Sequence, residues 1–580
     1  MEKNQIIGFT LISTILIGYM FWQESYGPKP LPAPQEQVTT SEKTIEASVK
    51  DSSITTIDSV SQSVEEKTTT IETDVLKITF SNIGADIQSA ILKDHKDLYD
   101  QDLELIDQSN FSFNVGLGKV NTKDIPFQTE VGNTTITGEE STTLKFISTN
   151  AIITYTIKGN SYLLDYNIQA PGISDIKTYA INWVSDMKRV ELGIDESLNN
   201  STINYYTSNE DFDNVGTGKG TEDEDIKEPL KWFSIKQRFF NIGFIAEKQF
   251  TDAKFKTIGK EGDSSYFKLA TADLTVNVNG AVNDNYSMYI GPNDYKIVKT
   301  ITDGYHENVD LGWGIFGWIN KFMVIPIFKF LEQHISNYGL IILALVIIIK
   351  LLLFPIAYRS YVSMAKMKVL KPELDEMKER VGDDTQKQQQ EQMKIYQQVG
   401  VNPVSGCIPM VLQMPFLFAM FRFFPNSIEL RHESFLWAND LSTYDAPIHW
   451  GTYIWPIGDH ISLFCVLMTI TSLVYAWYNN QMNPGAAPGP MKNIGYIMPV
   501  MFFFILNSFS SGLTFYYFVS TLITILQQQG ANAFIDKDKI RAQLDENRKN
   551  AGTKKKSGFR ARIEEAMKAA QEQQAKNKKK

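Results

Sequence analysis

Gly339-Leu-Ile-Ile-Leu-Ala-Leu-Val-Ile-Ile-Ile-Lys-Leu-Leu-Leu-Phe-Pro355 constrains this chain more than any other stretch, because an apolar run of bilayer length carries a lysine, Lys350, inside it. At about 1.5 Å per residue the run reaches roughly 26 Å, close to the thickness of a hydrocarbon core. A charge at mid-membrane costs about 2.5–3.5 kcal/mol on insertion scales, so such a residue is expected to face a bundle interior, a watery cavity or a partner. A second role fits the same residue. Lys350 lies about two and a half helical turns from Arg359, and its four-carbon stem can snorkel to the headgroups. The run by itself leaves both roles open.

The apolar content is concentrated before Trp22 and again between about 310 and 528, whereas residues 23–310 read as an ordinary soluble domain. The first run, Ile6 to Trp22, follows Lys3 and is succeeded by Gln23-Glu-Ser-Tyr-Gly-Pro rather than a small-x-small cleavage site. An uncleaved anchor over 1–22 is therefore expected in preference to a signal peptide. Residues 28–70 are Pro-rich, then Ser/Thr/Glu-rich, and cannot bury enough apolar surface to fold. A disordered linker is expected over 23–73.

From 74 to 304 the pattern turns to short alternating runs such as Val75-Leu-Lys-Ile-Thr-Phe80, Ile152-Ile-Thr-Tyr-Thr-Ile157, Tyr162-Leu-Leu-Asp-Tyr-Asn-Ile168 and Leu274-Thr-Val-Asn-Val278. Period-two runs broken by Gly, Asn and Asp predict a large antiparallel β-sandwich. It contains no cysteine, since Cys407 and Cys465 both fall in apolar spans. Gly216-Thr-Gly-Lys-Gly220 looks friendly to phosphate. However, a P-loop needs glycine where Asp213 stands and Ser or Thr where Gly220 stands, and the acidic run Glu222–Asp225 lies beside it. The six histidines are scattered without metal-ligand spacing, and no nucleophile–base pair emerges. Nothing here argues for an enzyme or a cofactor.

Residues 305–335 mix Trp, Phe and Ile with Lys321, Lys329 and Glu332, as expected of an amphipathic helix lying in a membrane surface. A core helix of the soluble domain is the bland alternative. Five spans follow, at roughly 338–356, 404–424, 460–478, 493–508 and 512–528, and with the anchor they make six. The loop 357–403 carries Arg359, Lys366, Lys368, Lys371, Lys378, Arg380, Lys387 and Lys394. The stretch 536–580 holds fifteen basic against seven acidic residues, leaving the rest of the chain near −18 against a total of −10. The positive-inside rule makes both segments and both termini cytoplasmic and the β-domain exported. Within that loop Met364, Met367, Leu370, Leu374, Met377 and Val381 recur at three- and four-residue steps. Met393, Tyr396 and Val399 repeat the pattern after Gly382-Asp-Asp384, predicting a helical hairpin over 357–403. Its apolar seam fits self-packing and partner docking alike.

The spans also carry polar groups: Gln413, Asn507, Ser508, Thr514, Tyr516, Tyr517, Ser520 and Thr521, with Pro409, Pro415 and Pro499 inside them. Freed backbone groups must be satisfied by neighbours or water, and single polar side chains also serve as interhelical glue.

Tyr361-Val-Ser-Met-Ala-Lys-Met367, Gly382-Asp-Asp384, Val401-Asn-Pro-Val-Ser-Gly-Cys407, Leu412-Gln-Met-Pro415, Ile428-Glu-Leu-Arg431, Met498-Pro-Val500, Ser511-Gly-Leu-Thr-Phe-Tyr-Tyr517 and Gln527-Gln-Gln529 together resemble the bacterial membrane protein insertases of the YidC/Oxa1/Alb3 family. The likeness covers the whole chain and is weakest in the β-domain. It implies a membrane α-helical fold with six transmembrane helices, a five-helix insertase core at 336–530, a periplasmic antiparallel β-sandwich, a cytoplasmic helical hairpin and a basic tail at 531–580. It implies insertion, folding and assembly of inner-membrane proteins, alone or with the Sec translocon, without covalent chemistry, nucleotide or cofactor. The implied site is a hydrophilic groove built from Lys350, Gln413, Tyr516, Tyr517, Asn507 and Thr514. Lys350 stands where the family usually has arginine, keeping the charge and losing the planar fork; Val346 stands where the family often has threonine. The hairpin, through Met364, Lys366, Met367, Lys368, Asp383 and Asp384, would receive substrate or targeting factors, and the tail would meet the ribosome, with no DNA involved. A transporter or channel is the rival class, against which no inverted repeat or facing acidic set is visible. A glycan-binding module on a membrane anchor is the third, and the core motifs are too elaborate for an anchor.

Overall fold

The computed structural model describes residues 65–549 apart from 174–175, 261, 264, 279, 383, 402–407 and 483–490. The expected anchor, nearly all of the linker, Asp383 and the tail beyond 549 therefore lie outside the described residues. The chain divides into two compact units, Met1–Asp310 and Leu311–Lys580.

The first unit is built of five-, eight- and six-stranded sheets, strand-rich as the alternation predicted. The named strand pairs are antiparallel except for Ile71–Glu72 against Thr134–Thr135. The longest ladder joins Thr178–Lys188 to Tyr266–Asn277, and the alternation read from sequence sets its register. Every second residue of Thr178–Lys188 points inward, which sends Trp183 to the interior. There it meets Phe113 of its own sheet at 5.4 Å and Phe233 and Phe244 of the eight-stranded sheet at 5.5 and 5.7 Å. Farther along, Tyr155 of the eight-stranded sheet meets Phe80 of the five-stranded sheet at 4.7 Å. Each such ring pair adds about 0.5–1.5 kcal/mol beyond its buried area. The first strand is Thr68–Glu72, inside the expected linker. Its threonines read as polar spacer, yet Ile71 is fully buried against the next strand.

The phosphate-like loop is closed by its own chain. Glu222 accepts hydrogen bonds from the Gly216 and Thr217 amides, occupying the place an anion would take. The buried Lys268 donates to the carbonyls of Leu198, Ser201 and Gly216 at 2.6–2.7 Å, stapling a short helix and that loop to the long strand. Burial pushes its ammonium down to about 8, with Glu222 opposing the shift.

In the second unit an amphipathic helix, Gly314–Glu332, is interrupted by a π-turn over Asn320–Val324 just before Pro326. Asn320 faces the interior and donates to the carbonyls of Leu311 and Ala419, both at 2.8 Å. Ile319, Val324, Phe328 and Leu331 form the buried stripe, while Trp313, Ile315, Trp318, Phe322 and Phe330 are exposed. This is the two-faced helix expected from sequence.

Eight α-helices follow among the described residues: α1 Tyr338–Val369, α2 Lys371–Val381, α3 Thr385–Val399, α4 Ile408–Asn426, α5 Leu463–Met482, α6 Met491–Leu506, α7 Ser511–Phe534 and α8 Lys537–Lys549. The described parts of the five segments read as spans are mostly helical, the one from 460 opening on the last strand residues. By length and hydropathy among the described residues, Gly314–Glu332 and Tyr338–Val369 are long and apolar enough to cross a membrane. Helix α1 buries Ile341, Ile342, Leu345, Val346 and Ile349 against α4, α5 and α7, and exposes Leu340, Ile347, Leu351, Leu352 and Ile356 on its other side. Gly339 and Gly512 permit close approach. A β-carbon on Gly339 would lie 2.1 Å from the Phe435 ring, and one on Gly512 3.0 Å from the Leu441 carbonyl.

Two boundaries differ from the sequence reading. The hairpin was expected from 357, but α1 runs unbroken through Pro355 to Val369, so Met364, Lys366, Met367 and Lys368 belong to that helix and the hairpin proper is α2 and α3. The basic segment from 531 opens as helix. Residues 531–534 complete α7, and α8 packs Ile540 and Leu544 into the seam formed by Met364, Met367, Leu370, Leu374, Met377, Tyr396 and Val399. Arg548 pairs with Glu373 across that contact.

Replacing Lys268 with methionine keeps its length and strands three carbonyls, which should lower unfolding stability by about 1–3 kcal/mol near neutrality. The folded protein releases this proton near 8, below the ordinary lysine value of 10.5. Wild type should therefore gain stability as pH rises from about 8 toward that value, and lose that gain as pH falls back through it. The gap between wild type and Lys268→Met, read from denaturant midpoints across that window, should widen with pH; a constant gap refutes the assignment.

Candidate functional site

Lys350 falls on the buried stripe of α1, one turn after Val346, and this spacing turns its side chain toward α7. It is 7 % exposed. Its Nζ donates to Thr524 Oγ1 at 2.8 Å, and Thr524 in turn donates to the Ser520 carbonyl at 2.8 Å. Gln527 donates to the Lys350 carbonyl at 3.2 Å, so the two helices are tied at the same level. The amine therefore bonds to α7 rather than reaching toward Arg359. Among the described residues Thr524 is its only hydrogen-bond acceptor, and no carboxylate pairs with it. An ammonium has three donors, so two remain for water or a ligand.

One turn earlier on α7, Ser520 Oγ accepts from Gln413 Nε2 of α4 at 3.3 Å, with Gln413 partly exposed. Tyr517 donates to the Leu417 carbonyl at 2.7 Å, and Tyr516 packs its ring 5.5 Å from Phe424. Gln413, Tyr516 and Tyr517 thus join α4 to α7, and Lys350 joins α1 to α7 one turn beyond Ser520. Gln528, the next position of the Ser520–Thr524 stripe, is buried against Met364 at 3.8 Å from its sulfur. Sequence reading named Ser520 without singling out Thr524. The i, i+4, i+8 recurrence of Ser520, Thr524 and Gln528 in an apolar helix was the available signal.

Asn507 and Thr514 do not join this group. Asn507 donates to the carbonyls of Ile457 and His460 and accepts from the Ser462 amide at 2.9 Å, fastening the loop that enters α5. Thr514 bonds within its own helix, to the carbonyls of Ser510 and Ser511. Ten residues of α7 separate it from Thr524, about 15 Å. Around Asn507 the loop is held by Asp445, which accepts from Trp437 and from the Leu463 and Phe464 amides at 2.8–3.0 Å and from Ser462. The α6–α7 end of the bundle is closed by these bonds, together with the Ser511 and Gly512 amides on Thr443 and Leu441.

The hairpin residues have structural assignments of their own. Met364 and Met367 are buried in the seam, Lys366 is half-buried and Lys368 exposed. Gly382, at φ +68°, ends α2, and Asp384 caps α3 by accepting from the Lys387 amide at 3.1 Å.

A helical bundle with at least two helices long and apolar enough to cross a membrane, preceded in the chain by a compact β-rich unit, is the architecture of a polytopic membrane protein. Residues 330–538 match the family described as 60Kd inner membrane protein, and residues 68–326 match the YidC periplasmic domain. The chain is 38% identical to the membrane protein insertase YidC of Amoebophilus asiaticus, over 98% of this chain and 99% of that one. It is 37% identical to that of Parabacteroides distasonis, over 99% and 98% of the two chains. The chain belongs to the YidC family of membrane protein insertases. A crystal structure of an active YidC insertase with its first transmembrane domain resolved aligns with 78% of this chain and 90% of its own, at 19% identity and a TM-score of 0.33.

Thr524→Val should leave the Lys350 ammonium without its acceptor and cost about 1–3 kcal/mol of stability. In Lys350→Met/Thr524→Val the second substitution should cost much less, since the group it abandons is gone. Denaturant titrations of the four proteins in lipid nanodiscs check this; strict additivity would mean that the two side chains are not coupled.

Proposed function

We propose that this protein inserts nascent membrane proteins into the inner membrane and helps them fold and assemble, with Lys350 as the attracting charge of a polar intramembrane site. The observation that carries the reading is an ammonium in the bundle interior that has one neutral acceptor and, among the described residues, no counter-ion. A structural lysine is expected to have its donors filled, as Lys268 has with three carbonyls; one with a single neutral acceptor suits a transient anionic ligand. A substrate segment with an acidic translocated tail needs a polar place for that tail while its apolar stretch moves into lipid. A carboxylate about 4 Å from an ammonium gains about 4 kcal/mol at an effective dielectric of about 20. Sideways burial of the apolar stretch, at about 25 cal/mol per Å², supplies the remaining driving force without nucleotide. Gln413, Tyr516 and Tyr517 line the path in this reading; Asn507 and Thr514 are framework.

The proposed topology has six spans, both termini cytoplasmic and the β-rich domain periplasmic, supported by the basic residues of α2, α3 and the terminal segment. The α2–α3 hairpin receives substrates or targeting factors, the basic tail meets ribosomal RNA through salt-sensitive phosphate contacts, and the Sec translocon is a partner for larger substrates.

Reconstitution into liposomes with a single-span substrate bearing an acidic tail tests the reading. Wild type and Lys350→Arg should give protease-protected substrate, whereas Lys350→Ala should lower insertion by about tenfold or more. A neutral-tailed substrate should be spared. Equal insertion by Lys350→Ala of the acidic-tailed substrate would remove the charge from the mechanism.

A further inference from the structure

Between α4 and α5 the chain forms a two-stranded ribbon, Ile448–Ile454 paired with Gly458–Ile461, that the insertion site does not use. Its second strand and turn are pinned to the bundle: His460 is 2 % exposed, stacks on Tyr444 at 3.9 Å and contacts the Asn507 carbonyl at 3.1 Å, and the buried Asn507 donates to the carbonyls of His460 and, in the turn, Ile457. Its outer part is open: Ile448, Tyr453, Ile454 and Trp455 are 57, 51, 49 and 60 % exposed. From Trp450 to Gly458 there is no charged side chain. A two-stranded ribbon is marginal in water, and soluble proteins blunt such edges with lysine, proline or cover. Here no lysine stands in the ribbon, and exposed Tyr453, Ile454 and Trp455 lead into Pro456 at the apex.

We propose that this ribbon is a lipid-seated anchor, with Tyr453, Ile454 and Trp455 resting in the interfacial layer of the bilayer. The proposal rests on the membrane reading above. Three observations select lipid as the occupant. The ribbon leaves the end of α4 and returns at the start of α5, so both its roots lie at one end of the bundle. The Gly314–Glu332 helix reaches that same end, where Lys329 pairs with Glu429 at 2.7 Å, and it exposes Trp318, Phe322 and Phe330. Trp and Tyr with an apolar body and a polar edge are the side chains that partition to headgroup level. The ribbon would add a second foothold on the same surface and fix the α4–α5 end relative to the membrane plane.

The test uses the full-length protein in phosphatidylethanolamine–phosphatidylglycerol vesicles doped with phosphatidylcholine brominated near the headgroup. Trp455→Phe and Trp477→Phe are compared with wild type; Trp477, exposed on α5, reports whether that helix faces lipid. The expected result is that Trp455→Phe loses a distinct component of the bromolipid quenching and that aqueous iodide does not reach Trp455. Iodide quenching of Trp455 without bromolipid quenching, while Trp477 responds to lipid, overturns the anchor and leaves the membrane reading standing. It would then point to a protein partner or a second copy on the ribbon. Loss of lipid quenching at both tryptophans overturns both readings.

Discussion

The contact between Lys350 and Thr524 is the constraint around which the helical unit is arranged. An ammonium inside an apolar bundle is tolerable only where small polar groups reach it. Helix α7 supplies one, Thr524, on a polar stripe with Ser520 and Gln528, while the opposite face of α1 keeps its leucines and isoleucines outward. Thr524 serves both helices: it accepts from the lysine and donates to its own helix at Ser520. A valine there would pack equally well and leave the charge with nothing. Position 346, one turn before the lysine, is already valine, so this wall has no hydroxyl to spare.

Both ends of the bundle are fastened by polar groups, and both keep some unmatched. At the α6–α7 end Asp445 caps α5, Asn507 binds two carbonyls and an amide, and Gly339 and Gly512 let loop and helix backbone close on one another, while the Thr443 and Ser510 hydroxyls are buried without a partner among the described residues. Toward the hairpin Lys350 has one neutral acceptor, and the Gln528 side-chain oxygen is buried without a donor among the described residues. What sets Lys350 apart is its charge: a neutral hydroxyl left unmatched costs far less than an ammonium with donors to spare.

Much of this was legible because periodicity is local. The inward alternation of Thr178–Lys188, the amphipathic stripe of Gly314–Glu332 and the methionine seam from Met364 to Val381 each follow from spacing alone. What was missed depends on partners distant in sequence. Asn507 and Thr514 were read as lining because the family resemblance implies it, and their bonds to the carbonyls of Ile457, His460 and Ser510 could not be seen in the sequence. Thr68–Glu72 read as linker because its threonines are polar, and its strand identity comes from pairing with Leu76–Ser81. Helix α1 passes Pro355 because the seam beyond it continues the same helical spacing, and a proline costs less than abandoning that packing.

The α8 contact changes what the hairpin can offer a partner. Its apolar seam is already filled from within the chain by Ile540 and Leu544, and Arg548 closes the arrangement over Glu373. A partner that docks without displacing α8 therefore meets the polar outer faces of α2 and α3, where Lys378, Arg380, Lys387 and Lys394 stand among acidic neighbours. Recognition there is governed by charge arrangement and ionic strength rather than by apolar burial. Exposing the seam instead would require α8 to leave, and α8 is joined to α7 by two residues, Ile535 and Asp536. The helix that carries Thr524 thus leads directly into the helix that covers the hairpin.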